Sequence, residues 1–317
     1  MILSLSHYDL DGISCQFVIS NYLGSISRMN CGYDKVDEYI DIVDDSCGHQ
    51  KPQHVFVTDL SFSLEQLTKL SYVAQKYQDI QFYFIDHHPF EGEYNHLKSN
   101  NFHIVISPKA SATKLTNLYI KKNWNVREDS ELEKYVSYVN AYDIWLDDTP
   151  EFKVGFVYNE LFWLYGFQHF WGRFNGDFKL RNADKEKYSE ILKKKKKLFD
   201  KLWNSGRILD IGNKDLLMLF LDEYHSHVTI DYPGYKAYVI VSSKGKASVR
   251  LKDVKDKESV QKFMFEQIAK LPNISNYGGH HGAFGIGLQD NNPALMIDFA
   301  KSMMNVVDFG LTNAGEI

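Results

Sequence analysis

Asp9 and Asp11 stand two residues apart in the stretch LSHYDLDGIS, directly behind the apolar positions Ile2, Leu3 and Leu5, with His7 before them and Gly12 after. Two carboxylates this close repel each other unless a positive charge sits between them, and a metal ion is the simplest such charge. Similar polar clusters close two further apolar runs: Asp59 follows HVFVT, and Asp86, His87 and His88 end FYFIDHHP. A fourth site candidate is Asp143, beside Tyr142 and close to Trp145 in SELEKYVSYVNAYDIW. A carboxylate among apolar neighbours is costly unless it is paired or metal-bound. Together Asp9, Asp11, Asp59, His87 and Asp143 supply four carboxylates and one imidazole, enough for two divalent cations that share a carboxylate. Hard oxygen donors with a minority of histidine suit manganese or magnesium better than zinc. A pair of such cations is the usual apparatus of phosphoester hydrolysis and makes a protein nucleophile unnecessary. Taken singly, each acid is equally well an N-cap or a solvated loop residue. Their recurrence behind apolar runs is what favours a joint role.

The elements that must position them follow from the same runs. Continuous apolar stretches of about four to six residues, separated by helical patterns, are how buried parallel strands read. Between them GISCQFVISNYL places Ile13 and Phe17 at helical spacing, and SLEQLTKLSYVAQKY opens with Ser63 three residues before Gln66, a capping-box pattern. The expected fold class is therefore α/β, with an N-terminal open parallel sheet. Ligands bind such sheets at the carboxyl ends of the strands, where all three clusters fall. The aromatic stretch FVYNELFWLYGFQHFWGRF, with Phe162, Trp163, Phe167, Phe170 and Trp171, is expected to form core or a homodimer contact rather than a base-stacking platform. NADKEKYSEILKKKKKLFDKLW reads as a long charged connector helix. Its lysines, Lys193 to Lys197, are expected on a solvated surface, because five consecutive residues wrap around a helix and form no single stripe. Beyond it YKAYVIVSS, KASVRLK and GGHHGAFGIGL suggest strands and glycine turns of a second, smaller α/β domain. The expected division is residues 1–180, a helical connector 181–210, and 211–317.

With 317 residues, a net charge of −5 and 44% hydrophobic residues, the chain is neither a disordered acidic protein nor a basic nucleic-acid coat. Cys15, Cys31 and Cys47 form no CxxC pair, which argues against a disulfide framework and a structural zinc site and fits a reducing compartment. No cationic leader with an apolar core is seen, and the densest apolar stretch, DLLMLFLDE, is too short to span a bilayer. The expectation is a cytoplasmic protein with no membrane partner.

SHYDLDG, VTDLS, FIDHHP and NAYDIW resemble motifs one to four of the DHH phosphoesterase superfamily, and YGGHHGAFG resembles the glycine-histidine signature of its DHHA1 substrate-binding domain. The match is spread over nearly the whole chain. By that resemblance Asp9 and Asp59 would hold one metal, and Asp11, Asp59, His87 and Asp143 the other, with Asp59 as the bridge. His88 would contact the scissile phosphate, and Asp86 would orient the histidines. His7 stands where the RecJ-like branch carries an acid and joins the candidate metal ligands. In the second domain the resemblance implies that His280 binds substrate. Gly278 and Gly279 let backbone amides approach a phosphate or base, and Arg250 can bind phosphate oxygens.

A two-domain chain of this length is similar to the nanoRNase branch of DHH–DHHA1 proteins, which implies a two-metal phosphodiesterase, most simply with Mn2+ or else Mg2+, that degrades short RNA oligonucleotides to 5′-mononucleotides. The alternative is a hydrolase of cyclic or linear dinucleotides or of 3′-phosphoadenosine 5′-phosphate (pAp). The longer RecJ-type exonucleases carry an added OB-type domain, and the pyrophosphatases of the superfamily lack the GGH signature. A silent nucleotide-binding protein would be expected to have lost a ligand, yet all of them are present. With metals on one domain and the GGH loop on the other, their separation is expected to act as a ruler that favours RNA of two to about five nucleotides.

Overall fold

The computed structural model describes residues 1–204, 208–211, 216–221, 235–242, 245–252, 254, 256–272, 274–289, 299, 301–303 and 305–307. The chain divides into two units, Met1–Tyr188 and Ser189–Ile317. In the first unit the order is β1 (Ile2–His7), α1 (Leu10–Leu23), β2 (Ile26–Cys31), α2 (Val36–Gln50), β3 (His54–Thr58), α3 (Leu64–Lys76), β4 (Gln81–Asp86), β5 (Phe102–Ile106), α4 (Ala112–Asn123), α5 (Ser130–Asp143) and α6 (Pro150–Phe174).

Five parallel strands form one sheet in the order β2-β1-β3-β4-β5. The pleat sends alternate side chains to opposite faces. Leu3, Leu5, Val55, Val57, Phe82 and Phe84 face one apolar core with residues of α2 and α3. Ile2, Phe56, Tyr83 and Ile85 face the other, with residues of α1, α5 and α6. Both faces are covered, which is why these strands read as near-continuous apolar runs. From β1 the chain first moves outward to β2 and then returns across β1 to β3, so the connections diverge between β1 and β3. Such a divergence opens a crevice at the carboxyl ends of the two strands, the place where open α/β sheets bind ligands.

Local signals agree with the elements. Ser63 and Gln66 form the reciprocal capping box at the start of α3. The aromatic stretch falls in α6, which Gly166 interrupts with φ 69° and ψ 166°. Phe162, Phe167 and Phe170 are buried in the core, whereas Trp163 is 58% exposed. Behind α6, Asp184 is buried and accepts from Arg173 Nη2 at 2.5 Å, from Arg181 N at 2.8 Å and from Tyr165 Oη at 2.9 Å.

α7 (Asn182–Asn204) starts in the first unit and ends in the second. Lys193, Lys194, Lys196 and Lys197 are exposed along it, as a solvated helix surface requires. The second unit continues with β6 (Ile208–Ile211), β7 (Leu216–Leu221), β8 (Ala237–Ser242), β9 (Lys246–Leu251), α8 (Lys257–Ile268), β10 (Ile274–His280) and β11 (Ala283–Leu288). These strands form a mixed sheet ordered β10-β11-β9-β8-β7-β6, parallel only between β7 and β8. On β8, Ala237, Val239 and Val241 pack with Val260, Met264 and Ile268 of α8, while Tyr238 and Ile240 pack with Phe199 and Leu202 of α7. Among the described residues no helix is long and apolar enough to cross a membrane.

One close approach governs how β1 meets α1. A Cβ placed on Gly12 would lie 2.2 Å from the carbonyl oxygen of His7. The first turn of α1 therefore rests directly on the strand end, and only glycine permits it. Gly12→Ala is expected to lower stability by about 3 kcal/mol, read as a reduced urea midpoint with an unchanged slope.

Candidate metal centre

The end of β1 and the start of α1 place the first cluster. Asp9 is the N-cap of α1: its Oδ1 accepts from Gly12 N at 2.9 Å. Its Oδ2 lies 2.8 Å from His7 Nδ1. Asp11, in the first turn, reaches across to α4. Ala112 N and Thr113 N donate to its two oxygens at 2.8 and 3.1 Å, and Thr113 Oγ1 donates to its carbonyl at 2.9 Å. A helix N-terminus offers free amides and positive potential, so this carboxylate is held by the two features that stabilise an anion.

Asp59 follows β3 with φ 57°, a left-handed backbone that aspartate tolerates better than most residues. Its N–H donates to Ile85 O on the neighbouring strand at 3.0 Å. Asp86 ends β4, and its Oδ1 lies 2.8 Å from His88 Nδ1. His87 occupies the centre. Its Nε2 is 3.4 Å from Asp59 Oδ1, 3.4 Å from Asp143 Oδ2 and 4.0 Å from Asp11 Oδ2, with Asp143 supplied by the last residue of α5.

The electrostatics of this arrangement are unfavourable by themselves. Burial pushes the Asp59 carboxyl well above the usual carboxylate range, and the charges of Asp9 and Asp11 push it further. Asp143 is raised in the same way, by burial and then by Asp11 and Asp9. For Asp11, burial outweighs the attraction of His87 and the carboxyl is again raised. Asp9 behaves oppositely. Burial would raise it, but the charge and hydrogen bond of His7, together with Gly12 N–H, hold it below the ordinary range. Burial lowers His87, with Asp11 opposing; His88 is raised because the Asp86 hydrogen bond overcomes burial. Asp59 Oδ2 and Asp143 Oδ2 are buried oxygens with no hydrogen-bond partner, each costing about 1–3 kcal/mol. Among the described residues the ion-pair partners of these four acids are histidines alone.

This donor set fits hard divalent cations. Three groups place one ligand atom per residue within 4.8 Å of each other: His7, Asp9 and Asp59; Asp11, His87 and Asp143; and Asp59, His87 and His88. Asp59 and His87 each belong to two groups. All six residues expected to ligate metal meet here although they come from separate elements, and Asp86 supports His88.

Several partners had no signature in the spacing. Tyr33, in the short 3-10 turn Tyr33–Lys35 after β2, places Oη 3.1 Å from His88 Nε2 and stacks on His7 at 4.2 Å. It stands, like the acids, just past a strand's carboxyl end, which is the one signal that could have found it. In the second unit Arg250 on β9 pairs in register with Ala283 of β11. Gly279 has φ 138°, and a Cβ there would lie 2.6 Å from Ala283 O. Gly278 faces open space, with nothing within 4 Å of a Cβ built on it. The backbone of His280 ends β10, while its side chain lies outside the described residues. Gln261 of α8, buried, donates to Gly279 O at 3.2 Å and lies 3.1 Å from His281 Nδ1, so it fixes the glycine-histidine strand from below.

No family model matches the chain. It is 29% identical over 164 residues to a 3′,5′-cyclic-nucleotide phosphodiesterase of Helicobacter pylori (strain ATCC 700392 / 26695), an alignment that covers 48% of this chain and 46% of that relative. The chain therefore spans less than half the length of this relative. Oligoribonuclease NrnB of Bacillus subtilis (strain 168) is 22% identical over 315 residues, covering 90% of this chain and 72% of NrnB. Among solved structures, RecJ of Thermus thermophilus in complex with Mn2+ has the same fold, with a TM-score of 0.52 and 14% identity over 97% of this chain and 52% of RecJ. These likenesses agree with the resemblance of the clustered motifs to the DHH phosphoesterase superfamily.

The raised carboxyls give a sign to the pH dependence. A carboxyl raised in the folded state binds more protons there than when unfolded, so the metal-free chain loses stability as pH rises through its titration. Added Mn2+ is expected to raise Tm more at pH 8 than at pH 5.5, because it needs the ionised forms. Asp59→Asn is expected to raise the metal-free Tm at pH 8 and to abolish the Mn2+ response.

Proposed function

We propose that the chain is a metal-dependent phosphodiesterase that hydrolyses short RNA oligonucleotides to 5′-mononucleotides. The observation that carries this reading is the set of four clustered carboxylates at the β1/β3 crevice with, among the described residues, only imidazoles as ion-pair partners. The names of the NrnB and cyclic-nucleotide phosphodiesterase relatives support it. In this reading Asp9 and Asp59, joined by His7, hold one divalent cation, and Asp11, Asp59, His87 and Asp143 hold the other. Such ions, when bound, supply Lewis acidity and lower the pKa of water beside a phosphodiester.

The chain's own residues do the rest. Asp86 fixes the His88 ring at Nδ1 and favours its charged form, so Nε2–H, which rests against Tyr33 Oη, is the donor that a non-bridging phosphate oxygen would take over from the tyrosine. Until then Tyr33 holds that nitrogen, and it stacks on His7, which limits how far either imidazole can turn. In the second unit Gly278, Gly279, His280 and Arg250 bind the substrate through backbone approach and charge. Mn2+ is the proposed ion, with Mg2+ the substitute. The free, buried Cys15, Cys31 and Cys47 suit a cytoplasmic setting. A second reading, hydrolysis of cyclic or linear dinucleotides or of pAp, is favoured by the name of the Helicobacter relative.

End-labelled RNA of graded length, incubated with Mn2+, tests the substrate. Dinucleotides to pentanucleotides are expected to turn over markedly faster than strands of about twenty nucleotides, and faster rates on the long strands would overturn the length preference. A faster rate on a cyclic dinucleotide or pAp would favour the second reading. Asp59→Ala, or joint replacement of Asp86, His87 and His88 by alanine, is expected to abolish hydrolysis in a folded chain. Activity surviving exhaustive chelation would contradict the metal dependence.

A further inference from the structure

Beside the candidate metal centre, and wholly within the first unit, a cavity of about 500 Å³ opens between the carboxyl end of β2 and the break in α6. Tyr8, Arg28, Asn30, Tyr165, Phe167 and Gln168 line it. Gly166, with φ 69°, turns the chain so that Phe167 and Gln168 reach the rim rather than continuing the helix. The cavity adjoins the acids through the chain itself: Tyr8 lies between His7 and Asp9, and Asn30 Nδ2 donates to His7 O at 3.0 Å.

Arg28 is the unusual wall. Among the described residues no carboxylate pairs with it, Nη1 is buried without a hydrogen-bond partner, and Nη2 makes one long bond of 3.4 Å to Gln168 Oε1. Its guanidinium lies 3.9 Å from the Trp171 ring and 5.2 Å from that of Phe167. A guanidinium over an indole is favoured by the ring quadrupole, and the nitrogen it carries beside Gln168, on the cavity wall, is Nη2. Tyr8, 47% exposed, stacks on Phe167 at 5.5 Å with 20° between the planes. The stack on Phe167 and an edge contact with Phe162 at 6.2 Å hold the ring, while part of the residue stays open to solvent.

We propose that this cavity is a nucleobase subsite, in which the base of the nucleotide next to the scissile phosphate stacks on Tyr8 and presents its edge to Arg28. A phosphate group alone would leave the aromatic walls unused and fill little of the volume. A base uses both, since aromatic platforms stack any base and a cationic N–H edge matches the paired O6 and N7 acceptors of guanine best. Guanine is therefore preferred over adenine, and either over a pyrimidine. The inference rests on the phosphodiesterase reading for which nucleotide is cleaved, but the binding it requires can be measured without turnover.

Equilibrium dialysis of the full chain, free of metal, with GMP, AMP and CMP tests it. GMP is expected to bind about tenfold more tightly than CMP. Arg28→Met is expected to remove the preference for GMP over AMP, and Tyr8→Leu to weaken all three. Tyr8 is exposed, so its variant keeps the test decisive if Arg28→Met does not fold. Equal affinities for the three nucleotides, or unchanged affinities in both variants, would overturn the subsite. The KM values of GpG and CpC with Mn2+ separate the two proposals. Turnover without base preference rejects the subsite and leaves the phosphodiesterase standing. Arg28-dependent GMP binding without hydrolysis of any dinucleotide does the reverse.

Discussion

Mutual repulsion among Asp9, Asp11, Asp59 and Asp143 is the constraint around which the first unit is built. No described lysine or arginine neutralises them, and the central His87 ring lies 3.4–4.0 Å from three of the four. The backbone has to hold these groups together against their charge. It does so with features that cost stability elsewhere: a left-handed Asp59, a glycine pressed on a strand carbonyl, and two buried carboxylate oxygens without partners. Strain of this kind persists only where the surrounding structure determines it fully, and here two apolar cores grip both faces of the sheet. The divergence of connections between β1 and β3 then leaves the strand ends open where the acids stand.

The acids and histidines that cluster in the first unit stand out in the sequence because each ends or closely follows a buried parallel strand, or ends a helix. A central strand covered on both faces must be apolar throughout, so an acid at its end stands out. β1, β3 and β4 were readable on this ground. β2, an edge strand of sequence ISRMNC with mostly half-buried residues, carries no such contrast, and Arg28 and Asn30 on it went unnoticed. The amides of Ala112 and Thr113 and the hydroxyl of Tyr33 were hidden for another reason. They act across tens of residues, through contacts that local periodicity does not encode. In GGHHGAFGIGL the sequence suggests strands and glycine turns without fixing which glycines belong to which. In the fold the GGH segment is strand, and its glycine at φ 138° avoids a clash with the neighbouring strand.

The two units solve similar burial problems differently. The first covers a parallel sheet on both faces and places its polar residues at one edge. The second uses a mostly antiparallel sheet whose β8 alternates strictly between a core under α8 and a core under α7. Gln261, on α8, shows how a buried amide can hold a glycine-rich strand in place without any charge.

Asp11 differs from the other acids in one respect with a bearing on descent. Its two oxygens occupy the amides that open α4, so the residue fastens α1 to α4 as well as facing His87. Asp143 ends α5, and its Oδ2, the oxygen that faces His87, is buried without a hydrogen-bond partner. A lineage that kept this fold while abandoning its chemistry would be free to replace Asp143 early and would be held to Asp11 long afterwards. Among distant descendants, an aspartate at position 11 would therefore record ancestry of the fold, and one at position 143 would record continued use of the site.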